Sequence, residues 1–521
     1  MWRLFPRSWF SAKHPKARAQ AQVADALHKH WHEALRRALS RVLKQPIAFA
    51  EVTTTLRRIE ARHFVALDQA LRYGSWDMDL GRPEKGMVHL RAVSANEVDR
   101  DAFLFTAACD ANGFIREQAL VAFAHCPCRL AIAVALIRSD DWVSQVREAG
   151  KHLLDQSIQA ASGAELFAHL ELVIALQGRK RFAEEIWPVL VEPALLVPGN
   201  ADERWHATRH GPAALRLFAY SLLERADPGR LGDACREAAA DSDPSLAGWA
   251  LRTCVSSLPA SEVCELARVA LRHSHGSVRA AALRLLASTD SIGSKEAIEH
   301  ALFDSSRSTR HAAAYLLRNE FQFDPVTRWR EALAAEDARR SCVAVEALAD
   351  FAQPQDAERL LPWMSHRKGK LRAAALRGLD RAKYSQLIEL ATTSLGDGTT
   401  TVVREAIAML CREPGAFNKE ILLAARAKAP NERVELLLVR SAQLLDKWDV
   451  LETYLVWYSA LDTSRHHVLD VELENWRRST SRRFALLNEA SKTRLKEKLA
   501  ALRGVQRTEM WDDIEHAVVH A

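Results

Sequence analysis

The chain has 521 residues, of which 48% are hydrophobic and 7% aromatic, with a formal net charge of +6. No stretch approaches the run of about 18 apolar residues that a membrane span needs, and the N-terminal segment MWRLFPRSWFSAKHPKARAQ lacks the long apolar region of a secretory signal. Composition therefore argues against a membrane-spanning or secreted protein and predicts a cytoplasmic one, and the predominance of Ala and Leu among the apolar residues favours helix.

The positive charge is concentrated at the two ends of the chain. Residues 1–44 have a net charge of +8 and residues 474–500 a net charge of +5, whereas residues 45–473 have a net charge of −5. This distribution gives no support for a phosphate-binding groove running along the whole middle of the chain, although a local basic stripe is compatible with it.

Residues 1–45 are predicted to form a basic N-terminal tail and helix, and residues 46–100 to form N-terminal capping helices. Within residues 1–20, aromatic and apolar side chains alternate with Arg3 and Arg7. This composition can dock on an anionic membrane surface or in the groove of a partner. A flexible tail is the alternative interpretation, because the segment is short and contains a proline.

A phrase made of a hydrophobic residue, an arginine and an Ala-rich run recurs within residues 101–430. Its clearest copies are GFIREQALVAFA around Arg116, VSQVREAGKHLL around Arg147, GSVRAAALRLLA around Arg279, RSTRHAAAYLLR around Arg310, GKLRAAALRGLD around Arg372 and TVVREAIAMLCR around Arg404. The steps are 31 residues from Arg116 to Arg147 and from Arg279 to Arg310, and 32 from Arg372 to Arg404. A weaker copy around Arg340 divides the interval from Arg310 to Arg372, and degenerate copies such as HGPAALRLFAYSLL occupy the long interval between the second and third copies. Self-similarity at a fixed period of this length indicates a repeat array.

Each phrase has helical periodicity. In the third copy, apolar residues fall at positions i, i+3, i+4, i+7 and i+8, namely Val278, Ala281, Ala282, Leu285 and Leu286. Another helix, such as SKEAIEHALFD, lies between successive phrases, and a single helix pair of this size cannot bury its apolar stripe alone. The sequence therefore predicts an all-α fold, an α-solenoid of helix pairs with a period of about 31 residues, and a C-terminal helical cap with a basic segment over residues 431–521.

The pattern D-x-x-x-x-[hydrophobic]-R-x-x-A-x-x-x-L and its short period resemble the HEAT-like repeats of the phycobilisome-lyase type, over roughly residues 100–430. The resemblance implies HEAT-like helix pairs, and it leaves the function open, because the family implies scaffolds, partner-binding proteins, bilin lyases and nucleic-acid-binding relatives alike. The deoxyhypusine hydroxylase branch carries repeated His-Glu pairs, whereas this chain has only His32-Glu33, outside the array, which excludes that branch. HEAT-like DNA glycosylases use a basic face with aromatic residues and an acid; this chain has fourteen Trp but an acidic middle.

The recurring arginines can be interpreted as a phosphate-binding row or as a structural ladder. Asp110, Asp141 and Asp304 stand six residues before an arginine of the phrase. There an acid begins the turn into the helix and can accept hydrogen bonds from the arginine of its own or the next repeat. Because an acidic residue accompanies the arginine in these copies, we prefer a structural ladder. Its members are Arg116, Arg147, Arg279, Arg310, Arg372 and Arg404. His273 and His366 replace the acid in the two most similar repeats, for no reason visible in the sequence.

Candidate metal ligands occur in two places. His28 and His32, in HKHWHE, can share a metal ion on one helical face, but no third ligand is identifiable and a solvated basic helix is the preferred interpretation. His125, Cys126 and Cys128 have no second Cys/His pair at ligand spacing, so small residues filling helix contacts are preferred. A Gly-rich phosphate loop is missing and no Ser/His/Asp set stands out, so we expect no catalytic residue, metal or cofactor.

Partner-binding residues are expected five or six positions after the first stripe residue of each phrase and one turn further on, because side chains there point away from the stripe. Exposed Tyr, Met and Arg are common anchors of protein interfaces. The predicted partner-binding residues are Arg284, Tyr315, Arg318, Arg377, Met409 and Arg412. The resemblance to HEAT-like repeats, with the family's usual arrangement of second helices, implies that they line the concave face. The alternative interpretation is that these side chains merely pad neighbouring helices.

Together, these features predict a non-catalytic scaffold that binds another protein, within a bacterial multiprotein assembly. A nucleic-acid-binding HEAT protein that uses the basic ends and the arginines of the predicted binding face is the second choice. Peripheral membrane contact through residues 1–20 is a further alternative.

Overall fold

The structure, a computed structural model, describes residues 56, 59–73, 97–125, 129–290, 293–335, 337–460, 466–479, 485–502 and 509–521. The predictions made for the N-terminal tail, for His28 and His32, and for Cys126 and Cys128 fall outside the described residues. The chain divides into two compact units, Met1–Ser274 (unit 1) and His275–Ala521 (unit 2), each of which is described by itself.

Unit 1 is built from short helices joined by tight turns. Its helices are α1 Phe64–Tyr73, α2 Glu97–Ala108, α3 Gly113–Ala124, α4 Arg129–Arg138, α5 Ser144–Ala160, α6 Gly163–Phe167, α7 Leu170–Leu176, a π-helix Phe182–Val191, α8 Glu192–Leu196, α9 Ala201–Arg209, α10 Ala213–Ala226, α11 Leu231–Ala239, α12 Pro244–Ser257 and α13 Ala260–Ala270. They pair as α2 with α3, α4 with α5, α9 with α10 and α11 with α12. Second helices also pack on one another, as α3 on α5 and α10 on α12.

Unit 2 continues the same arrangement with more regular pairs. Its helices are α14 Gly276–Thr289, α15 Lys295–Ala301, α16 Arg307–Phe321, α17 Pro325–Ala334, α18 Ala338–Phe351, α19 Ala357–Leu360, α20 Gly369–Arg381, α21 Leu387–Ser394, α22 Thr400–Leu410, α23 Lys419–Ala427, α24 Glu432–Ser441, α25 Lys447–Ala460, α26 His466–Ser479, α27 Glu489–Ala501 and α28 Glu509–Val519. The pairs are α15 with α16, α17 with α18, α19 with α20, α21 with α22 and α23 with α24. The last four helices, α25 to α28, pack on one another at the C-terminal end.

Each second helix buries two stripes of side chains. In α14, Val278, Ala282 and Leu286 of the predicted stripe are buried, whereas Ala281 is half-buried. Leu283 is also fully buried, because α14 packs against α16 of the next repeat. Burial on both sides removes apolar surface from water in every repeat and holds neighbouring pairs together. The fold is an all-helical α-solenoid of HEAT-like helix pairs.

Two second helices begin with a glycine because the next repeat approaches very closely. A Cβ on Gly276 would overlap the side chain of Ser306, and a Cβ on Gly369 would overlap that of Thr399. Thr309 also donates a hydrogen bond to the carbonyl oxygen of Gly276 at 3.0 Å. The glycine that opens these two copies of the phrase therefore reflects contact between repeats.

Candidate partner-binding groove

An arginine of one repeat and an aspartate 25 residues later form a bidentate ion pair that joins the two repeats. Arg279 donates from Nε and Nη2 to the carboxylate of Asp304 at 2.7 and 2.6 Å. Asp304 also accepts the backbone N–H of Ser306 at 2.7 Å, which fixes the turn before α16. Corresponding pairs are Arg116 with Asp141, Arg216 with Asp241 and Arg372 with Asp397. The aspartate thus fixes the turn that precedes its own helix and bridges to the preceding repeat.

Several of the recurring arginines are also bound to a backbone carbonyl oxygen of their own repeat. Arg116 donates from Nη1 to the carbonyl oxygen of Asp110 at 2.8 Å. Arg147 donates in the same way to Asp141 at 3.0 Å, and Arg310 to Asp304 at 2.9 Å. The sequence predicted that the acid receives the arginine of its own repeat or of the next repeat. In the structure the backbone carbonyl oxygen of the aspartate binds the arginine of the same repeat, whereas its carboxylate binds the arginine of the preceding repeat and not that of the next one.

Fewer of the recurring arginines form the ion pair between repeats than the sequence pattern predicts. Positions 172, 335 and 429, which follow Arg147, Arg310 and Arg404 by 25 residues, hold no acid. Arg147 and Arg310 keep their carbonyl bonds, and Arg310 also lies 3.5 Å from a carboxylate oxygen of Glu346. Arg404 is exposed and has no ion-pair partner within the described residues, so its assignment to the ladder is wrong. The physical reason is that its side chain has no carboxylate to meet in the following repeat.

The same spacing of 25 residues accounts for the two histidines that replace the acid. Positions 248 and 341, which precede His273 and His366 by 25 residues, are glycine and serine, so no ladder arginine of the preceding repeat faces them. His366 accepts the backbone N–H of Lys368 through Nδ1 at 3.1 Å, as an aspartate would, and its carbonyl oxygen binds Arg372 at 2.7 Å. The ring of His273 bonds to the carbonyl oxygen of Asp241 at 2.8 Å. At His366 an imidazole therefore makes the turn contact without placing there a carboxylate that no ladder arginine of the preceding repeat would pair.

A buried charged cluster extends the ladder at the N-terminal end of unit 1. Asp141 accepts hydrogen bonds from Arg72 at 3.1 Å, Arg116 at 3.0 Å and Arg138 at 2.8 Å, and Arg138 also pairs with Asp68. Arg116, Arg138 and Asp141 are almost completely withdrawn from water. Charges buried this deeply are tolerated only when they are mutually paired, so this cluster joins helices and offers no ligand site.

The residues predicted to bind a partner are placed unequally. Arg284, Arg318 and Arg412 are exposed, and Tyr315 keeps 63% of its surface accessible. Arg377 is partly exposed. Met409 is 2% exposed and lies in the same buried cluster as residues of α24 and the C-terminal cap, so it is not a binding residue. It is buried because α22 packs against α24, an arrangement that helical spacing alone does not reveal.

A groove lies between the exposed ends of four second helices of unit 2. Its volume is about 340 Å³, and α16, α18, α20 and α22 supply most of its wall. The lining residues are Arg307, His311, Ala349, Asp350, Arg377, Asp380, Arg381, Glu405 and Arg412. Two of the predicted partner-binding residues, Arg377 and Arg412, are therefore brought together here.

Carboxylates and cations in the groove are paired side by side. Arg307 binds Asp350 through two hydrogen bonds of 2.7 and 2.6 Å, and His311 Nε2 lies 2.8 Å from the same carboxylate. Burial by itself raises the pKa of Asp350, but these hydrogen bonds outweigh it and hold that pKa below its ordinary value. Asp350 therefore stays ionised and joins α18 to Arg307 and His311 of α16 along one side of the groove.

The opposite side of the groove holds more exposed pairs. Arg377 donates to Glu405 at 2.7 Å, and Arg412 donates to Asp380 at 2.5 Å. Their side chains retain between 30% and 57% of their surface, so water screens both interactions. These pairs can exchange partners at little cost, in contrast to the four ladder pairs, whose side chains are at most 19% exposed.

Arg381 is one of the groove residues that the sequence interpretation missed. It is exposed, and no carboxylate of the described residues pairs with it. A signal was present, since Arg318, Asp350, Arg381 and Arg412 follow one another at steps of 32, 31 and 31 residues and so occupy equivalent positions in successive repeats. With Arg381, the groove contains four arginines against three carboxylates.

Other chemistry is limited in the described part of the chain. Burial raises the pKa of the thiols of Cys109 and Cys235 to about 12, so both stay protonated and are poor nucleophiles at neutral pH. Among the described residues, no group of three or more His, Cys, Asp or Glu side chains is arranged to hold a metal ion. Nor is any described helix both long and apolar enough to cross a membrane.

No family model matches the chain, and no curated protein matches it. Solved structures do. A structure of importin beta in an ammonium sulfate condition is 12% identical over 98% of this chain and 71% of its own, with a TM-score of 0.40. Kap121p bound to the C-terminus of the phosphatase Cdc14p is 12% identical over 94% and 55%, with a TM-score of 0.27. Kap95p with RanGDP is 10% identical over 94% and 72%, with a TM-score of 0.31. All three superpositions have TM-scores of 0.40 or lower and sequence identities of 12% or lower.

Proposed function

We propose that this chain is a non-catalytic scaffold that binds a partner protein on the exposed face of the second helices α14, α16, α18, α20 and α22. The observation that carries the proposal is the groove, where four arginines and three carboxylates from successive repeats share one concavity. Tyr315, with 63% of its surface exposed, stands one turn along α16 from His311 of the groove wall. Arginine and tyrosine are the residues most enriched among interface anchors.

The groove favours a protein over a nucleic acid. A nucleic acid presents closely spaced phosphates, and each one placed over Asp350, Asp380 or Glu405 would be repelled. A polypeptide can place opposite charges and neutral groups to match a mixed surface. The proposal extends to a cytoplasmic bacterial assembly, the setting that the sequence suggested.

The test compares two matched double variants in a capture experiment with the tagged full-length chain. Tyr315→Ala with Arg377→Ala removes two side chains of the proposed face. Ile388→Ala with Arg359→Ala removes an exposed apolar side chain and an exposed arginine from the first helices α21 and α19. Losing a buried interface anchor costs about 2 kcal/mol, or about thirtyfold in affinity, so capture should fall strongly for the first pair only.

Deletion of residues 1–20 and treatment with nuclease complete the experiment. Helical circular dichroism should be unchanged in both double variants, since all four side chains are at least partly exposed. If the tail deletion abolishes capture while the first double variant retains it, the binding site lies at the N-terminus and the proposed face is wrong. If capture disappears after nuclease treatment, the partner is a nucleic acid and not a protein.

A further inference from the structure

We infer that the groove of unit 2 binds an acidic peptide segment, with a carboxylate of the peptide seated on Arg381 and an apolar or aromatic residue beside it on Tyr315. This inference rests on the proposed scaffold function and adds the chemical class of the ligand. It follows from the charge balance of the groove, from the exposure of its ion pairs, and from the position of its aromatic neighbour.

The charge balance selects an anionic group. Asp350 is bound by Arg307 and His311, while Arg377 and Arg412 hold the other two carboxylates of the groove. Arg381 is left as the cation without a carboxylate partner among the described residues, and its side chain is exposed. A guanidinium presents a planar pair of donors that fits a carboxylate through two parallel hydrogen bonds.

The exposed pairs on either side allow a second contact. Because the ion pairs of Arg377 and Arg412 are partly solvated, each contributes little stability and its arginine can turn toward an incoming carboxylate. The ladder pair of Arg372 with Asp397 cannot do so, since its guanidinium is also bound to the backbone at His366. The groove therefore has one unpaired arginine flanked by two adaptable ones.

The neighbouring surface supplies an apolar contact. Arg307, His311, Tyr315 and Arg318 succeed one another on α16 at steps of three or four residues, so all four share one face of the helix. Arg318 lies over the ring of Phe351, 5.1 Å from its centroid. The Tyr315 ring is exposed and stands one turn of α16 from His311 of the groove wall. A volume of about 340 Å³ is at the small end for ligand sites, which suits one or two side chains of a peptide better than a large cofactor.

The probe is a displayed library of random twelve-residue peptides, selected on the immobilised full-length protein and counter-selected on Arg381→Glu. We expect the enriched peptides to share an Asp or Glu next to an apolar residue. A fluorescent copy of the consensus peptide should bind at least about tenfold more weakly to Arg381→Ala, while Arg381→Lys, which keeps the charge but not the planar pair of donors, should bind between Arg381→Ala and the wild type. Arg359→Ala, which removes an exposed arginine of α19, should bind like the wild type.

Several outcomes would overturn the inference. These are an enriched set without acidic residues, equal binding by Arg381→Ala and the wild type, and a single-stranded oligonucleotide that displaces the peptide at lower concentration than unlabelled peptide does. If these occur while Tyr315→Ala with Arg377→Ala still loses its native partner, the ligand class is wrong and the scaffold function stands. If the acidic peptide depends on Arg381 but native capture does not depend on the face, the groove is a peptide site and the scaffold proposal fails.

Discussion

Arg372 and Arg404 occupy the same place in two copies of the repeated phrase, and their replacement should differ sharply in its effect on stability. Arg372 makes two hydrogen bonds of 2.7 Å to Asp397, one of 3.1 Å to Thr399, and two to backbone carbonyls, so all five of its N–H groups are used. Arg404 is exposed and has no ion-pair partner in the described part of the chain. Replacing each by alanine therefore compares a bridging arginine with a solvated one in the same kind of helix.

The expected loss for Arg372→Ala is about 3 kcal/mol. Removing one partner of a deeply buried pair costs about 3–5 kcal/mol, and the lower limit applies because Arg372 and Asp397 retain 16% and 13% of their side-chain surface. Most of this cost comes from leaving the carboxylate of Asp397 with the backbone N–H of Thr399 as its main remaining contact. Arg404→Ala should change stability by less than about 0.5 kcal/mol.

Urea unfolding followed by circular dichroism, with hydrogen exchange of α20 and α22 to localise the change, measures both variants. Repeat arrays often unfold in parts, so the local exchange is needed to assign the transition. Adding Asp397→Ala completes a double-mutant cycle, for which we expect a coupling energy of about 2 kcal/mol. Equal losses for Arg372→Ala and Arg404→Ala, or a coupling near zero, would refute the ladder as a source of stability.

Two further results are expected. Gly150→Ala should destabilise unit 1 by about 1–2 kcal/mol in thermal or urea unfolding, because the added Cβ would lie 2.7 Å from backbone atoms at the end of α4. Gly178→Ala, with open space around the added Cβ, is the neutral control. Equal stability of the two variants would show that α4 and α5 are not closely packed. Hydrogen bonds from Arg372 outweigh the effect of burial and lower the pKa of Asp397, so the stabilisation is fully present above its unfolded pKa of about 3.9 and is lost as pH falls through the lower folded value. The urea midpoint of unfolding, measured from pH 7 to pH 2, should therefore decrease once the pH is below about 4, and it should decrease less for Asp397→Asn. The same pH dependence in wild type and Asp397→Asn would contradict the assignment.

The amino-acid sequence by itself determined the helix pairs and their period. Apolar residues at i, i+3, i+4 and i+7 make an amphipathic helix wherever they occur, and an aspartate six residues before an arginine indicates the turn that precedes it. These are short-range relations, so the pattern around Arg310, with Asp304 six residues before it, predicts α16 and the turn that precedes it without knowledge of the rest of the chain. Even a degenerate copy such as HGPAALRLFAYSLL proved to form a second helix, α10, whose Arg216 pairs with Asp241.

Tertiary structure decided which of the repeated residues act alike. Arg372 and Arg404 occupy the same place in the phrase, but only the first meets a carboxylate, because that contact requires a residue 25 positions later in the next repeat. Met409 has the helical position of an exposed anchor and is buried by α24, while Arg381 lines the groove with side chains of three other second helices. Such environments depend on how neighbouring repeats stack, and a periodic local pattern carries no information about the atoms that the next repeat brings into contact.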